Sequence, residues 1–218
     1  PYRRQRQMCI RDRDIVIISS DHTRPVPSRV TMPILLHHIH SAAPEARVRI
    51  LVATGMHRPS THEELVNKYG EEIVANEEIV MHVATDDSMM KKIGTLPSGG
   101  ECIINKIAAD CDLLLAEGFI EPHFFAGFSG SRKSVLPGIA SYKTIMYNHN
   151  GQFVNDSHSR AGSLCHNHVS EDMFAAAEMA HLAFVLNVVL NGKHEVIGSF
   201  AGDIHKAVSY THLTLPTI

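Results

Sequence analysis

Asp14–Pro25 reads DIVIISSDHTRP, a compact run of Ile and Val that stops at serines and then at an aspartate, a histidine and an arginine. Four β-branched residues in succession favour a strand, and past Pro27 the residues Val30, Ile34, Leu35 and Ile39 recur near helical spacing. The unit is strand, loop, helix. Arg47–Thr54, RVRILVAT, repeats the strand signal and runs into ATGMHRP at Ala53–Pro59; Ser60 with Glu63 then forms a capping box that opens a helix toward Tyr69. A weaker strand around Ile79–Val83 leads through Asp86 and Asp87 into a polar, glycine-containing stretch. ECIIN at Glu101–Asn105 and DLLLAEG at Asp112–Gly118 read as further strands. After Ser170, EDMFAAAEMAHLA has the length and alanine content of a helix, with its acidic residues in the first turn. FVLNVVLN and EVIGSFAG form a strand pair joined by a turn at Asn191–Lys193. Alternating strands and helices predict an α/β fold, a layered Rossmann-like domain with a largely parallel sheet.

Composition narrows the function classes. The chain has 218 residues, 44% hydrophobic and 20% charged, with a formal charge of −3, which is globular and gives no footprint for nucleic acid. Cys9, Cys102, Cys111 and Cys165 include no CxxC pair, which fits a reducing cytoplasm better than a disulfide framework. No apolar run approaches the roughly 20 residues of a membrane helix. Pro1–Arg13 and Val208–Ile218 resemble translated sequencing-adapter DNA, so residues 1–13 and 208–218 read as non-native flanks of one domain spanning 14–207.

The chemistry-bearing residues sit where strands end. Open parallel sheets collect ligands beyond the carboxyl ends of their strands, and SDHTRP, ATGMHRP and EPHFFAGFSGSRKSVLPG at Glu121–Gly138 each follow an apolar run. Histidine moves protons near neutral pH. The chain holds 16 histidines, of which loop position singles out His57 and His123, while the HHIH tract at His37–His40 reads as an exposed helix face. His149, in YNHN, is a candidate metal ligand. Asp21 can orient a donor and Arg24 can clamp a carboxylate or phosphate, or both can merely cap the following helix. Lys133, in GFSGSRKS, departs from the phosphate-loop pattern because Arg132 stands at its second glycine and Pro137 follows almost at once. A desolvated lysine beside an arginine is instead suited to covalent attachment.

Taken together, DHTRP, TGMHRP, EPHFFAGFSGSRKSVLPG and the YNHN histidine closely resemble, in order and spacing, the nickel-dependent lactate racemase family over Asp14–Ala207. The resemblance implies a racemase or epimerase of small-molecule 2-hydroxy acids. It also implies nickel in a pincer cofactor, Ni(II)-pyridinium-3,5-bisthiocarboxylate mononucleotide, covalent at Lys133 with His149 as the protein ligand to the metal. His57 and His123 match the acid/base pair, and Asp21, His22, Thr23 and Arg24 match the loop at the cofactor and substrate pocket. In the implied mechanism one histidine takes the hydroxyl proton while the C2 hydride passes to the cofactor, and both return to either face. Enzymes that build the cofactor are implied partners. Ser131 stands where the family commonly has glycine, and His168 and Ser170 where it more often has proline and histidine. The family's second, C-terminal domain is expected beyond this segment. Two alternatives remain open: a cofactor-binding fragment without activity, and a phosphate-loop-like nucleotide-dependent transferase. The identity of the 2-hydroxy acid and the oligomeric state are not specified by these motifs.

Overall fold

Ile15 and Ile17 of the DIVIIS run face one hydrophobic core, and Val16 and Ile18 face another. Successive side chains of a strand point to opposite faces, so a run buried along its length belongs in a sheet covered on both sides. The computed structural model describes residues 13–130, 132–204 and 206. The two flanks, apart from Arg13, and Ser131 lie outside the described residues.

The elements run β1 (Asp14–Ser20), α1 (Ser28–Ala42), β2 (Arg47–Ala53), α2 (His62–Tyr69), α3 (Glu71–Asn76) and β3 (Glu78–Met81). A 3-10 turn leads to β4 (Met90–Thr95), β5 (Glu101–Asn105), α4 (Lys106–Asp110) and β6 (Leu113–Phe119). There follow the short β7 (Pro122–His123) and β8 (Gly127–Phe128), then α5 (Arg132–Val135), α6 (Tyr142–Asn148), α7 (Gly151–Val154) and α8 (His168–Met179). β9 (Leu182–Leu190) and β10 (Val196–Gly202) complete the order. The main sheet is ordered β10-β9-β6-β1-β2-β3. All neighbours are parallel except β9 and β10, which form the expected antiparallel pair. From β1 the chain first builds outward through β2 and β3, then returns to add β6 and β9 on the other side. That reversal puts a topological switch point, the usual ligand crevice of such sheets, at the carboxyl end of β1. Among the described residues no helix is long and apolar enough to cross a membrane.

Four local expectations are corrected. The inward face of α1 is Ser28, Thr31, Met32, Leu35 and Leu36, with Ile39 partly buried, whereas Val30 and Ile34 are half exposed. Ser28 and Thr31 turn inward because their hydroxyls donate to the buried Glu117 carboxylate, a reason that an apolar-spacing count does not register. The capping box lies one residue later, at Thr61 and Glu64, because the Ser60 hydroxyl is engaged with His22 Nδ1 at 2.9 Å. α8 begins at His168, since the Asn167 side chain accepts from the Ser170 N–H at 3.1 Å. The polar stretch after Asp87 contains β4, and ECIIN pairs with it as a separate antiparallel hairpin outside the main sheet. The HHIH histidines His37, His38 and His40 are exposed, as expected.

His82 locks the wall of the switch point. It is fully buried; its Nε2–H donates to Ala140 O at 3.0 Å and its Nδ1 accepts from Asn105 Nδ2 at 3.2 Å. Its own carbonyl accepts the Thr54 hydroxyl at 2.6 Å, which fixes the exit of β2. Burial pushes this ring down to about 4. The unfolded chain therefore binds the proton more readily, and the stability this group contributes is present above about pH 6.5 and lost as pH falls toward 4. At about 1.4 kcal/mol per unit, His82 should account for a loss of about 2–3 kcal/mol between about pH 7 and 4.5. Urea unfolding at the two pH values should show a smaller difference in His82→Gln than in the parent.

Candidate active site

Three strand exits form the cleft. Ser20, Asp21 and Arg24 come from the end of β1, Ala53–His57 from the end of β2, and Gly118–His123 from the end of β6. Lys133 and Ser134 of α5, the segment after it, and His149 at the end of α6 close the fourth side. Of the residues singled out in the sequence, Asp21, Arg24, His57, His123, Lys133 and His149 share this one cleft. His22 does not line it, being turned toward Ser60 and Glu64, with Nε2 lying 3.6 Å from the Glu64 carboxylate. Thr23 is exposed and donates through backbone and hydroxyl to Asp21 Oδ1, at 3.1 and 2.6 Å.

The floor is held by Glu117, which has no exposure and accepts from Ser19 and Ser28 at 2.5 Å each and from Thr31. Tyr69 extends this network, donating to the Ser19 hydroxyl at 2.8 Å. None of this was legible in the sequence, because a Glu inside DLLLAEG and scattered hydroxyls carry no common spacing.

His57 and His123 start as opposite tautomers. Asp21, almost wholly buried, places Oδ2 2.6 Å from His57 Nδ1, so Nδ1 carries the proton and a neutral His57 offers a lone pair at Nε2. His123 Nδ1 instead accepts the Ala126 N–H at 3.2 Å, so in the neutral ring Nε2 carries the proton. Burial, then the charges of Lys133 and Arg24, push His123 down to about 3. Phe124 stacks on its ring at 4.7 Å and Phe125 meets it edge-on at 4.7 Å. Phe125 also meets His149 edge-on at 5.1 Å.

Lys133 and His149 supply different chemistry. Burial, reinforced by Arg24 and Arg132, pushes the Lys133 amine down to about 7, so an appreciable fraction is neutral and nucleophilic at physiological pH. His149 is pushed down to about 4 by burial and by Lys133, and its Nδ1 is buried without a hydrogen-bond partner. Among the described residues no group of three or more His, Cys, Asp or Glu side chains can hold a metal. The phosphate-loop alternative fits poorly, since the helix that follows the glycine-serine turn is only four residues long and Arg132 is buried where a glycine should lie.

A switch-point α/β domain whose cleft gathers three histidines, an arginine and a lysine is thus defined by fold and site. The lactate racemase N-terminal domain family matches residues 3–162, and the chain belongs to that family. It is 70% identical over 194 residues to the lactate racemase of Lactiplantibacillus plantarum, covering 89% of this chain and 46% of that protein. It is 53% identical over 195 residues to the lactate racemase of Thermoanaerobacterium thermosaccharolyticum, again covering 89% and 46%. The chain thus spans about half the length of these curated relatives. The lactate racemase apoprotein structure from T. thermosaccharolyticum superposes with a TM-score of 0.91 at 50% identity, over 95% of this chain and 50% of that one. A protein from Thermotoga maritima, 21% identical, shares the fold with a TM-score of 0.76, over 93% of this chain and 53% of that one.

A limiting amount of an activated ester at about pH 7 should acylate Lys133 at least about tenfold faster than the exposed Lys91, Lys92 and Lys143. Peptide mapping of the labelled protein measures this. Uniform labelling would show that the amine is protonated like its surface counterparts.

Proposed function

We propose that this domain forms the cofactor-anchoring and proton-transfer half of a racemase acting on lactate or a related 2-hydroxy acid. What carries the reading is one juxtaposition, the His149 ring in the same cleft as a lysine amine pushed down to about 7. Lys133 is suited to a thioamide link, and His149 supplies one nitrogen to a metal whose remaining donors come from the bound group. These residues fit the nickel-pincer mononucleotide implied by the resemblance. When bound, that group supplies a hydride acceptor for the substrate C2, chemistry that no side chain offers.

The chain's own residues account for the proton. His57 Nε2 takes the hydroxyl proton of a 2-hydroxy acid, and Asp21, already bonded to Nδ1, stabilises the resulting imidazolium. Once charged, His123 returns one proton to the oxygen in the opposite hand and is left as the neutral ring, and its depressed pKa makes that charged form a ready donor. Arg24, exposed at the rim, can hold the substrate carboxylate by a bidentate pair. Burial around His123 and His149 returns both rings to the neutral form between transfers. The enzymes that build the cofactor are the implied partners, and the cytoplasm the implied setting.

Two experiments test the proposal. Co-expressed with cofactor-building enzymes, the parent should gain the cofactor mass and nickel. Lys133→Ala should gain neither, and His149→Ala should keep the adduct while losing nickel. In a chain extended to the full length of its relatives, His57→Ala and His123→Ala should each slow lactate racemisation by about 10²–10⁴-fold with nickel content unchanged. Full turnover in both variants would rule out the acid/base pair.

A further inference from the structure

Arg132 is the largest side chain with almost no exposure, at 1%, and no carboxylate among the described residues offsets its charge. A buried cation without a counterion is unfavourable unless its donors are well used. Here the planar guanidinium donates through its two terminal nitrogens to Phe128 O at 2.8 Å and to Ala126 O and Ser129 O at 3.2 Å each, while its buried Nε has no hydrogen-bond partner. It also lies 4.6 Å over the Phe174 ring of α8. A fork of fixed geometry can gather several carbonyls at once, which the single ammonium of lysine does less well.

All three carbonyls belong to the turn that presents His123. Ala126 is held at both of its backbone groups, its N–H by His123 Nδ1 and its C=O by Arg132. That brace has work to do, because Gly127 at φ 79° and Gly130 at φ 115° give the turn two residues with ready access to other conformations. The N–H that keeps His123 Nδ1 free of a proton belongs to the Phe125–Ala126 peptide, whose carbonyl accepts from Asn167 at 2.8 Å; Arg132 holds the next peptide, and a turn released there would rotate Ala126 and withdraw that N–H.

We propose that Arg132 is a positioning residue: by bracing Ala126, Phe128 and Ser129 it fixes His123 as the tautomer with Nδ1 bare and Nε2 protonated. The importance of that tautomer rests on the proton-transfer role given above to His123, but the test needs neither substrate nor cofactor. The readout is ¹⁵N-histidine NMR of this chain, with His123 assigned through its loss in His123→Gln. In the parent, His123 should show one tautomer with its proton on Nε2. In Arg132→Met the ratio of the two tautomers should move toward unity by about tenfold, roughly the worth of one hydrogen bond. Arg132→Lys should fall between the two. A parent spectrum with the proton on Nδ1 would overturn the proposal, as would a folded Arg132→Met with the parent's ratio. If Arg132→Met does not fold, Arg132→Lys decides, and a ratio unchanged from the parent overturns the proposal. Failure of these outcomes would leave the lysine adduct and nickel content of the loaded protein unaffected, so the two readings fail separately.

Discussion

The Glu117 carboxylate is the tie on which the site depends. It sits at the end of β6 with no exposure and accepts hydroxyls from Ser19 at the end of β1 and from Ser28 and Thr31 in the first turns of α1. β1 and β6 would in any case lie side by side through their backbone ladder. The hydroxyl network adds the position of α1, and so the path of the loop that carries Asp21 and Arg24 between β1 and that helix. A buried carboxylate with every partner in place specifies one arrangement, whereas a half-satisfied one would destabilise all of them.

Above that tie the basic groups of the cleft act on one another. Lys133, Arg24 and Arg132 lie close enough to lower one another's proton affinity or that of the histidines beside them. Desolvation acts in the same direction on His123, Arg132, Lys133 and His149. The result is that the His123 and His149 rings are held neutral and the Lys133 amine partly so. Asp21 is the counterweight: placed behind His57, it offers one ring in the cleft a carboxylate partner.

Much of this was legible in the sequence where chemistry and periodicity coincide. Runs such as DIVIIS and RVRILVAT leave little choice but buried strands, and the polar residues at their ends had to meet at the switch point. Six of the eight residues singled out share the cleft. What escaped was decided by partners distant in sequence. Ser60 and Thr61 each precede a glutamate by three residues, and only the bond from His22 to Ser60 selects between them. β4, with the sequence MKKIGT, has too few apolar residues to announce a strand and is defined by its ladder to β5. Arg132 looked like a flaw in a phosphate loop, and its three carbonyl partners could not be foreseen.

The opposite tautomers of His57 and His123 carry a kinetic consequence. Mirror-image acids have equal free energies in solution, so an enzyme that interconverts them must show the same kcat/KM in both directions. With the two rings as proton carriers in the role proposed above, a cleft that starts them in different states cannot treat the two hands identically at each step. The inequality can surface only as paired changes, a higher kcat for one enantiomer matched by a proportionately higher KM. The lopsided wiring of the two rings, one to a carboxylate and one to a peptide N–H, would then be visible in saturation behaviour and invisible in catalytic efficiency.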